Sequence, residues 1–274
     1  MVEQTERARA TATEVRGGRR GVVDYDDLGA PCALTAPPRR IVSLVPSLTE
    51  AVAVTAPGLL VGATDYCTYP VDLDVRRVGG SKYPRVEAVL HLEPDLVLAN
   101  EEENRAEDVA ALRAAGIPVW VTAPRTLAQA FTSLRRVLDV CGLGRPAWWD
   151  EARRAWAPTF DGAPSRVRAL VPVWRRPWVL LGRDTFASDV LAHLGVANVL
   201  AEHPERYPRL PLPELQALGA DLVVLPDEPY LFTADDGPEA FPGTRSVLVS
   251  GRHLTWYGPS LVEARDLLES QLRG

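Results

Sequence analysis

One segment of the chain occurs twice. Lys82–Glu102 reads KYPRVEAVLHLEPDLVLANEE and Arg206–Glu228 reads RYPRLPLPELQALGADLVVLPDE. Both open on a basic residue followed by Tyr-Pro-Arg, and after a two-residue insertion both close on an apolar run that ends in acids. With the runs aligned, Asp95-Leu96-Val97 matches Asp221-Leu222-Val223, and Glu101-Glu102 matches Asp227-Glu228. A chain that repeats one unit in its two halves is constrained to two lobes of one kind.

Each copy is preceded by the same sort of element pair. In the first half RIVSLVPSLTEAVAV reads as a buried strand, Ile41 to Val45, that turns through Pro46 into a helix, with Ser47 and Glu50 in the spacing of a capping box. In the second half RALVPVW and PWVLLG have strand length, and RDTFASDVLAHLG opens a helix at Asp184 or Thr185 and closes it at Gly195. Strands alternating with helices call for βαβ units, hence an α/β fold with parallel sheets. Between the halves Leu127, Phe131, Leu134 and Leu138 keep helical spacing, Gly142 and Gly144 break it, and Pro146 to Trp156 resume it. The expected division is therefore a disordered tail over 1–20, an α/β lobe over 21–125, a helical linker over 126–162 and a second α/β lobe over 163–274. A helical linker sets a separation of about 1.5 Å per residue, unlike a Gly/Ser coil.

Composition narrows the function class. With 46% apolar residues among 274, the chain has the material for a core. Its apolar runs fall far short of the roughly 18–20 residues that span a bilayer. The first 27 residues lack the apolar segment of a secretory signal, Arg19-Arg20 notwithstanding, so the sequence as written reads as cytoplasmic. A net charge of −6 argues against nucleic acid as a partner. Cys32, Cys67 and Cys141 are odd in number and far apart, which fits reduced thiols.

The segments RIVSLVPSLTE, VGATDYCTYP, VGGSKYPRVEAVLHLEPDLVLANEEEN and RYPRLPLPELQALGADLVVLPDEPY resemble the helical-backbone substrate-binding proteins of ABC importers. The vitamin B12-binding type is nearest, with haem and ferric-siderophore receptors as relatives. The resemblance runs from about Val22 to Leu272. It implies a class III binding-protein fold: two Rossmann-like lobes, one long backbone helix and a ligand held between the lobes with little closure. It also implies an acidic residue on each lobe that docks onto arginines of an ABC permease.

In open α/β sheets ligands bind beyond the carboxyl ends of the strands. Those positions here are Pro46 and Ser47, Asp65 to Tyr69, Asn100 to Glu102, Trp174 to Trp178, and Asp227 to Tyr230. The Ser47 turn either offers N–H groups to a ligand oxygen or merely caps its helix. Asp65, Tyr66, Cys67 and Tyr69 share one loop. Cys67 reads as a metal ligand or nucleophile, or else as a small buried thiol. Lys82 heads the first repeated motif. The pair Glu101 and Glu102, echoed by Asp227 and Glu228, separates from the helix start that Asn104 and Glu107 mark by cap spacing, in a helix that ends at Gly116.

Trp174, Trp178, Tyr230, Phe232, Trp256 and Tyr257 give the second half an aromatic character suited to a flat macrocycle, or to a core. Arg175, Arg176 and Arg183 are placed to pair across a cleft with Glu101, Glu102 or Asp227, or to bind an anionic ligand group. His91, His193, His203 and His253 have no metal-site spacing, and no nucleophile elbow, P-loop or zincin motif is present. The expected function is non-catalytic binding of a corrinoid or another large metal chelate such as haem. Two alternatives stay open: an enzyme using the carboxylates and Cys67, and an exported importer component whose start lies upstream.

Overall fold

The structure is a computed structural model that describes residues 22–161 and 167–274. The tail over 1–20 and Arg19-Arg20 lie outside the described residues. The chain divides into two compact units. The first comprises the chain up to Ala123 with Arg135–Gly144, and the second comprises Pro124–Leu134 with Arg145–Gly274.

The first unit begins with an antiparallel hairpin, β1 (Val22–Tyr25) and β2 (Pro31–Leu34). Its sheet follows: β3 (Ile41–Ser43), α1 (Pro46–Thr55), β4 (Leu60–Ala63), β5 (Arg76–Arg77), α2 (Val86–Leu90), β6 (Leu96–Asn100), α3 (Ala106–Ala114) and β7 (Val119–Thr122). The strands lie in the order β5-β4-β3-β6-β7 and every pairing is parallel. Every residue of β3, β6 and β7 is buried, as a parallel sheet covered on both faces requires.

The helical stretch after β7 divides at Gly142 and Gly144, both in the left-handed region, into α4 (Leu127–Val140) and α5 (Ala147–Trp156). It is not a separate body. The first turns of α4 belong to the second unit and its last turns to the first. Helix α5 packs against the C-terminal helix: Trp156 Nε1 donates to Leu261 O at 2.9 Å, and Arg265 reaches Ala155 O at 3.1 Å.

The second unit runs β8 (Val167–Leu170), a hairpin of β9 (Pro172–Arg175) and β10 (Trp178–Leu180), α6 (Phe186–His193), β11 (Val196–Asn198), α7 (Leu212–Ala217), β12 (Leu222–Pro226), β13 (Arg245–Val249), α8 (Gly251–Thr255) and α9 (Leu261–Arg273). Its main sheet has the order β11-β8-β12-β13, again all parallel. Strand for strand this is the order of β4-β3-β6-β7. Among the described residues no helix is long and apolar enough to cross a membrane.

The duplication holds at atomic detail. Asp95 Oδ2 accepts from the backbone N–H of Arg40, and Asp95 N–H returns a bond to Arg40 O; Asp221 and Arg168 make the same reciprocal pair at the foot of β12 and β8. The arginine of each pair also reaches the carbonyl of a residue in the left-handed region, Glu93 (φ 43°) in one unit and Gly219 (φ 62°) in the other. These aspartates tie the start of one strand to the start of its neighbour, which sets the register.

Two expected caps are corrected. Pro46 occupies the first position of α1, so Val45 is the cap residue and Ser47 and Glu50 fall inside the helix. Helix α3 is capped at Arg105, and Asn104 turns back to the sheet instead. A variant of the capping box lies elsewhere, at the start of α4: Thr126 Oγ1 accepts from Gln129 N–H, and Gln129 Oε1 accepts from the N–H of Arg125, the residue before Thr126. Asp189 of α6 accepts a further α4 donor, Leu127 N–H, at 2.7 Å.

Candidate functional site

In the first unit the chain leaves β3 toward β4 on one side and returns to β6 on the other, so the crevice rule points to the loops after these strands. Asn100 and Asn104 organise them. Each asparagine bonds the other's backbone region: Asn104 Oδ1 accepts from Asn100 N–H at 2.8 Å, and Asn100 O accepts from Asn104 N–H at 3.0 Å. Asn100 Oδ1 also takes the N–H groups of Glu102 and Glu103. Asn104 Nδ2 donates to Leu44 O and Ser81 O, which joins the ends of β3 and β6 to the loop before α2. Asn100 is buried, and its side chain serves this scaffold.

The 64–67 loop is fixed in the same way. Arg77 Nη1 donates to the carbonyls of Thr64 and Cys67 at 2.9 and 2.8 Å. The Cys67 sulfur is wholly buried, accepts from Thr49 Oγ1 at 3.0 Å and lies 3.2 Å from Thr64 Oγ1, which in turn meets Ser81 Oγ. Burial pushes its thiol up, against the opposing hydrogen bonds from the threonines. Of the readings of Cys67, these contacts favour the small buried thiol. Pro46 and Ser47 are buried as well, and the Ser47 hydroxyl has no hydrogen-bond partner. What this scaffold exposes is aromatic. Tyr66 is 66% accessible, Tyr83 70%, and Tyr69 is exposed too. Tyr83 carries the Arg105 guanidinium 4.7 Å over its ring, while Lys82 Nζ donates to Glu102 O at 2.5 Å. Asp65 and Glu101 are exposed at the same strand ends.

The second unit separates its aromatics into two groups. Trp178 stacks parallel to Phe232 at 6.1 Å, meets Phe241 edge-on and forms part of the core around Leu215, Val223 and Leu225. Trp256 and Tyr257 are buried, Tyr257 against Phe186, which corrects their reading as an open binding loop. Trp174, in contrast, is 44% accessible and meets Tyr230 edge-on at 5.6 Å. Tyr207 is exposed with Arg206 over its ring.

The charges differ from expectation. Arg175 pairs with Asp236 and Glu239 of its own unit, and Arg183 lies 3.6 Å from its neighbour Asp184. Asp227 Oδ1 takes Gly251 N–H at 2.6 Å. Glu228 is half-buried beside it, with Oε1 shielded from solvent and unpartnered. Burial, with the adjacent Asp227 charge, pushes the Glu228 carboxyl up to about 7, against the pull of Arg252 and a Trp256 hydrogen bond. Only glycine fits at 251, because a Cβ there would stand 2.4 Å from Glu228 Cγ and 2.7 Å from its carbonyl oxygen. His253, the histidine in the late aromatic loop, is buried between Ser250 Oγ (2.7 Å) and Glu263 Oε1 (2.9 Å), which fastens α8 to α9. Among the described residues no group of three or more His, Cys, Asp and Glu is placed to hold a metal ion.

A family model for periplasmic binding proteins matches residues 41–228, from the first strand of the first sheet to Glu228. The chain belongs to that family. Within it, the vitamin B12-binding protein of Vibrio cholerae is 25% identical over 185 residues, covering 65% of this chain and 67% of that one. Its counterpart among solved structures, the periplasmic vitamin B12-binding protein of V. cholerae, superposes with a TM-score of 0.69 at 20% identity over 86% of this chain and 97% of the other. A periplasmic haem-binding protein solved with two haems gives a TM-score of 0.69 at 26% identity over 85% and 97%. An uncharacterized ABC transporter substrate-binding lipoprotein of Bacillus subtilis is 35% identical over 179 residues, 60% of this chain and 56% of its own. The fold is thus that of a two-lobed binding protein with parallel sheets.

Two exposed aromatic residues fall outside the strand-end positions, Tyr83 in the first unit and Tyr207 in the second. The repeated basic-Tyr-Pro-Arg motif was their signal. Both tyrosines of the motif are exposed, each under an arginine, one on each unit.

Proposed function

We propose that this binding protein takes a large, flat metal chelate of the corrinoid or tetrapyrrole class and presents it to an ABC permease. The observation that carries the reading is the exposed tyrosine of the repeated motif, Tyr83 on one unit and Tyr207 on the other, with Tyr66 and Tyr69 also exposed in the first unit and Trp174 in the second. Rings of this kind give large rigid contact to a macrocycle with a polar tip left over for its side groups. The names of the V. cholerae relative and the haem-bound neighbour support the same ligand class.

Absorbance titration with cyanocobalamin, cobinamide and haem tests the proposal. Saturable binding of one of them is expected, weakened about tenfold by Tyr83→Ala or by Tyr207→Ala, the loss of about 1–1.5 kcal/mol of ring contact. Absence of saturable change with all three ends it.

The permease part rests on Glu87 and Glu214. Both are exposed in the first turn of the short helix that follows the repeated motif, α2 in one unit and α7 in the other, and each helix is anchored by one buried residue, Val89 or Leu215. Replacing both glutamates by alanine is expected to abolish stimulation of the permease ATPase while leaving ligand affinity unchanged. Full stimulation by the double variant refutes this assignment.

A further inference from the structure

The second unit carries a basic groove of about 570 Å³ lined by Arg175, Arg176, Pro177, Trp178, Arg209, Leu210 and Pro211. No carboxylate lines it. Arg175 is held by Asp236 and Glu239, neither of which lines the groove, and its guanidinium lies 5.4 Å over the Trp178 ring. Arg176 and Arg209 are exposed, and among the described residues no acidic side chain pairs with either. The backbone holds both arginines at fixed places: Arg176 at the tip of the β9–β10 hairpin, and Arg209 bridged to Val179 of β10, one residue beyond Trp178. The groove therefore presents two uncompensated guanidiniums beside an indole and two proline rings. In a chain of net charge −6 this is a local reversal of sign.

Guanidinium pairs of this kind select carboxylate or phosphate oxygens, which they can engage through two parallel N–H bonds, and the neighbouring apolar walls suit the body that bears such a group. We propose that this groove binds an anionic group, carboxylate or phosphate, on an otherwise apolar ligand. The inference deepens the chelate reading, on which its biological meaning rests: the chelate carried would be one with acidic side groups, held by them at Arg176 and Arg209.

The same chemistry is available from a free polycarboxylate, so the experiment has two arms. In the first, benzene-1,3,5-tricarboxylate is titrated into the protein and read by tryptophan fluorescence, with Trp178→Phe to assign the signal. Saturable binding is expected that weakens steeply with salt and falls about tenfold in Arg176→Gln/Arg209→Gln, two surface charge contacts of modest worth each. No saturable signal, or an unchanged affinity in the double variant, overturns the groove. In the second arm haem is compared with its dimethyl ester, which lacks the two carboxylates. Tighter binding of haem by the parent protein, with the difference removed in the double variant, places the groove in chelate recognition. Equal binding of acid and ester refutes that placement. Failure of both forms to bind, with the tricarboxylate still bound, counts against the chelate reading and leaves the anion groove standing.

Discussion

Replacing Glu228 by glutamine should stabilise the protein at alkaline pH and change little in acid. The carboxyl is half-buried at the end of β12, with one oxygen unpartnered and Asp227 next in sequence. Its pKa stands near 7, against an ordinary value of 4.5. Below pH 4.5 the group is protonated in both folded and unfolded chains and contributes nothing. Between 4.5 and 7 the unfolded chain has released the proton that the folded chain retains, so stability falls as pH rises. Above 7 the loss is complete. The full difference corresponds to about 3 kcal/mol at 1.36 kcal/mol per pKa unit, and the carboxyl's partial access to solvent lowers the expectation to about 1–2 kcal/mol. Glutamine keeps the shape, leaves an acceptor for Trp256 and removes the charge. Urea midpoints for parent and Glu228→Gln, measured at about pH 3, 6 and 8.5, should coincide at the first and diverge in favour of the variant at the last. A gap independent of pH, or a less stable variant at pH 8.5, would refute the reasoning.

The duplicated unit supplies a second test. Glu93 adopts the left-handed conformation that Gly219 occupies in the other copy, and its side chain is exposed. Glu93→Gly should therefore gain about 0.5–1 kcal/mol after the entropy of glycine is counted, and Gly219→Ala should lose about 1 kcal/mol, both read by thermal denaturation. Asn104→Ala should cost about 2–3 kcal/mol and speed amide exchange at Asn100, because a buried polar side chain that joins three segments is lost; exchange at the parent rate would contradict that role. All three thiols are buried, with burial pushing Cys32 up to about 11 and Cys141 to about 12 and raising Cys67 as well. Iodoacetamide at pH 8 should leave the native protein unlabelled by mass spectrometry and label three sites in urea. Rapid native labelling of Cys67 would reopen a chemical role for it.

Much of the architecture was legible because it rests on pattern. Continuous apolar runs such as LVLAN and LVVLP can only be covered on both faces, and both are wholly buried strands of parallel sheets. Helix starts were less legible. The Ser-x-x-Glu spacing at Ser47 and the Asn-x-x-Glu spacing at Asn104 satisfy a local rule, but a cap is the residue at which the chain enters the helix. Pro46 moved that point to Val45, and the Leu44 and Ser81 carbonyls drew Asn104 away from its helix. The pair that does form, at Thr126 and Gln129, obeys a similar rule at the start of α4.

By itself, the sequence determined that two similar α/β lobes form and which motif is repeated, since apolar periodicity and turn residues act over a few neighbours. Only the tertiary structure decided the destination of each side chain at the strand ends. Trp256 and Tyr257 are covered and Trp174 is not, Cys67 is enclosed by Thr49 and Thr64, and Arg175 finds acids in its own unit while Arg176 and Arg209 line a groove without any. Exposure, pKa and pairing depend on what packs against a residue from distant parts of the chain, and no local spacing records that.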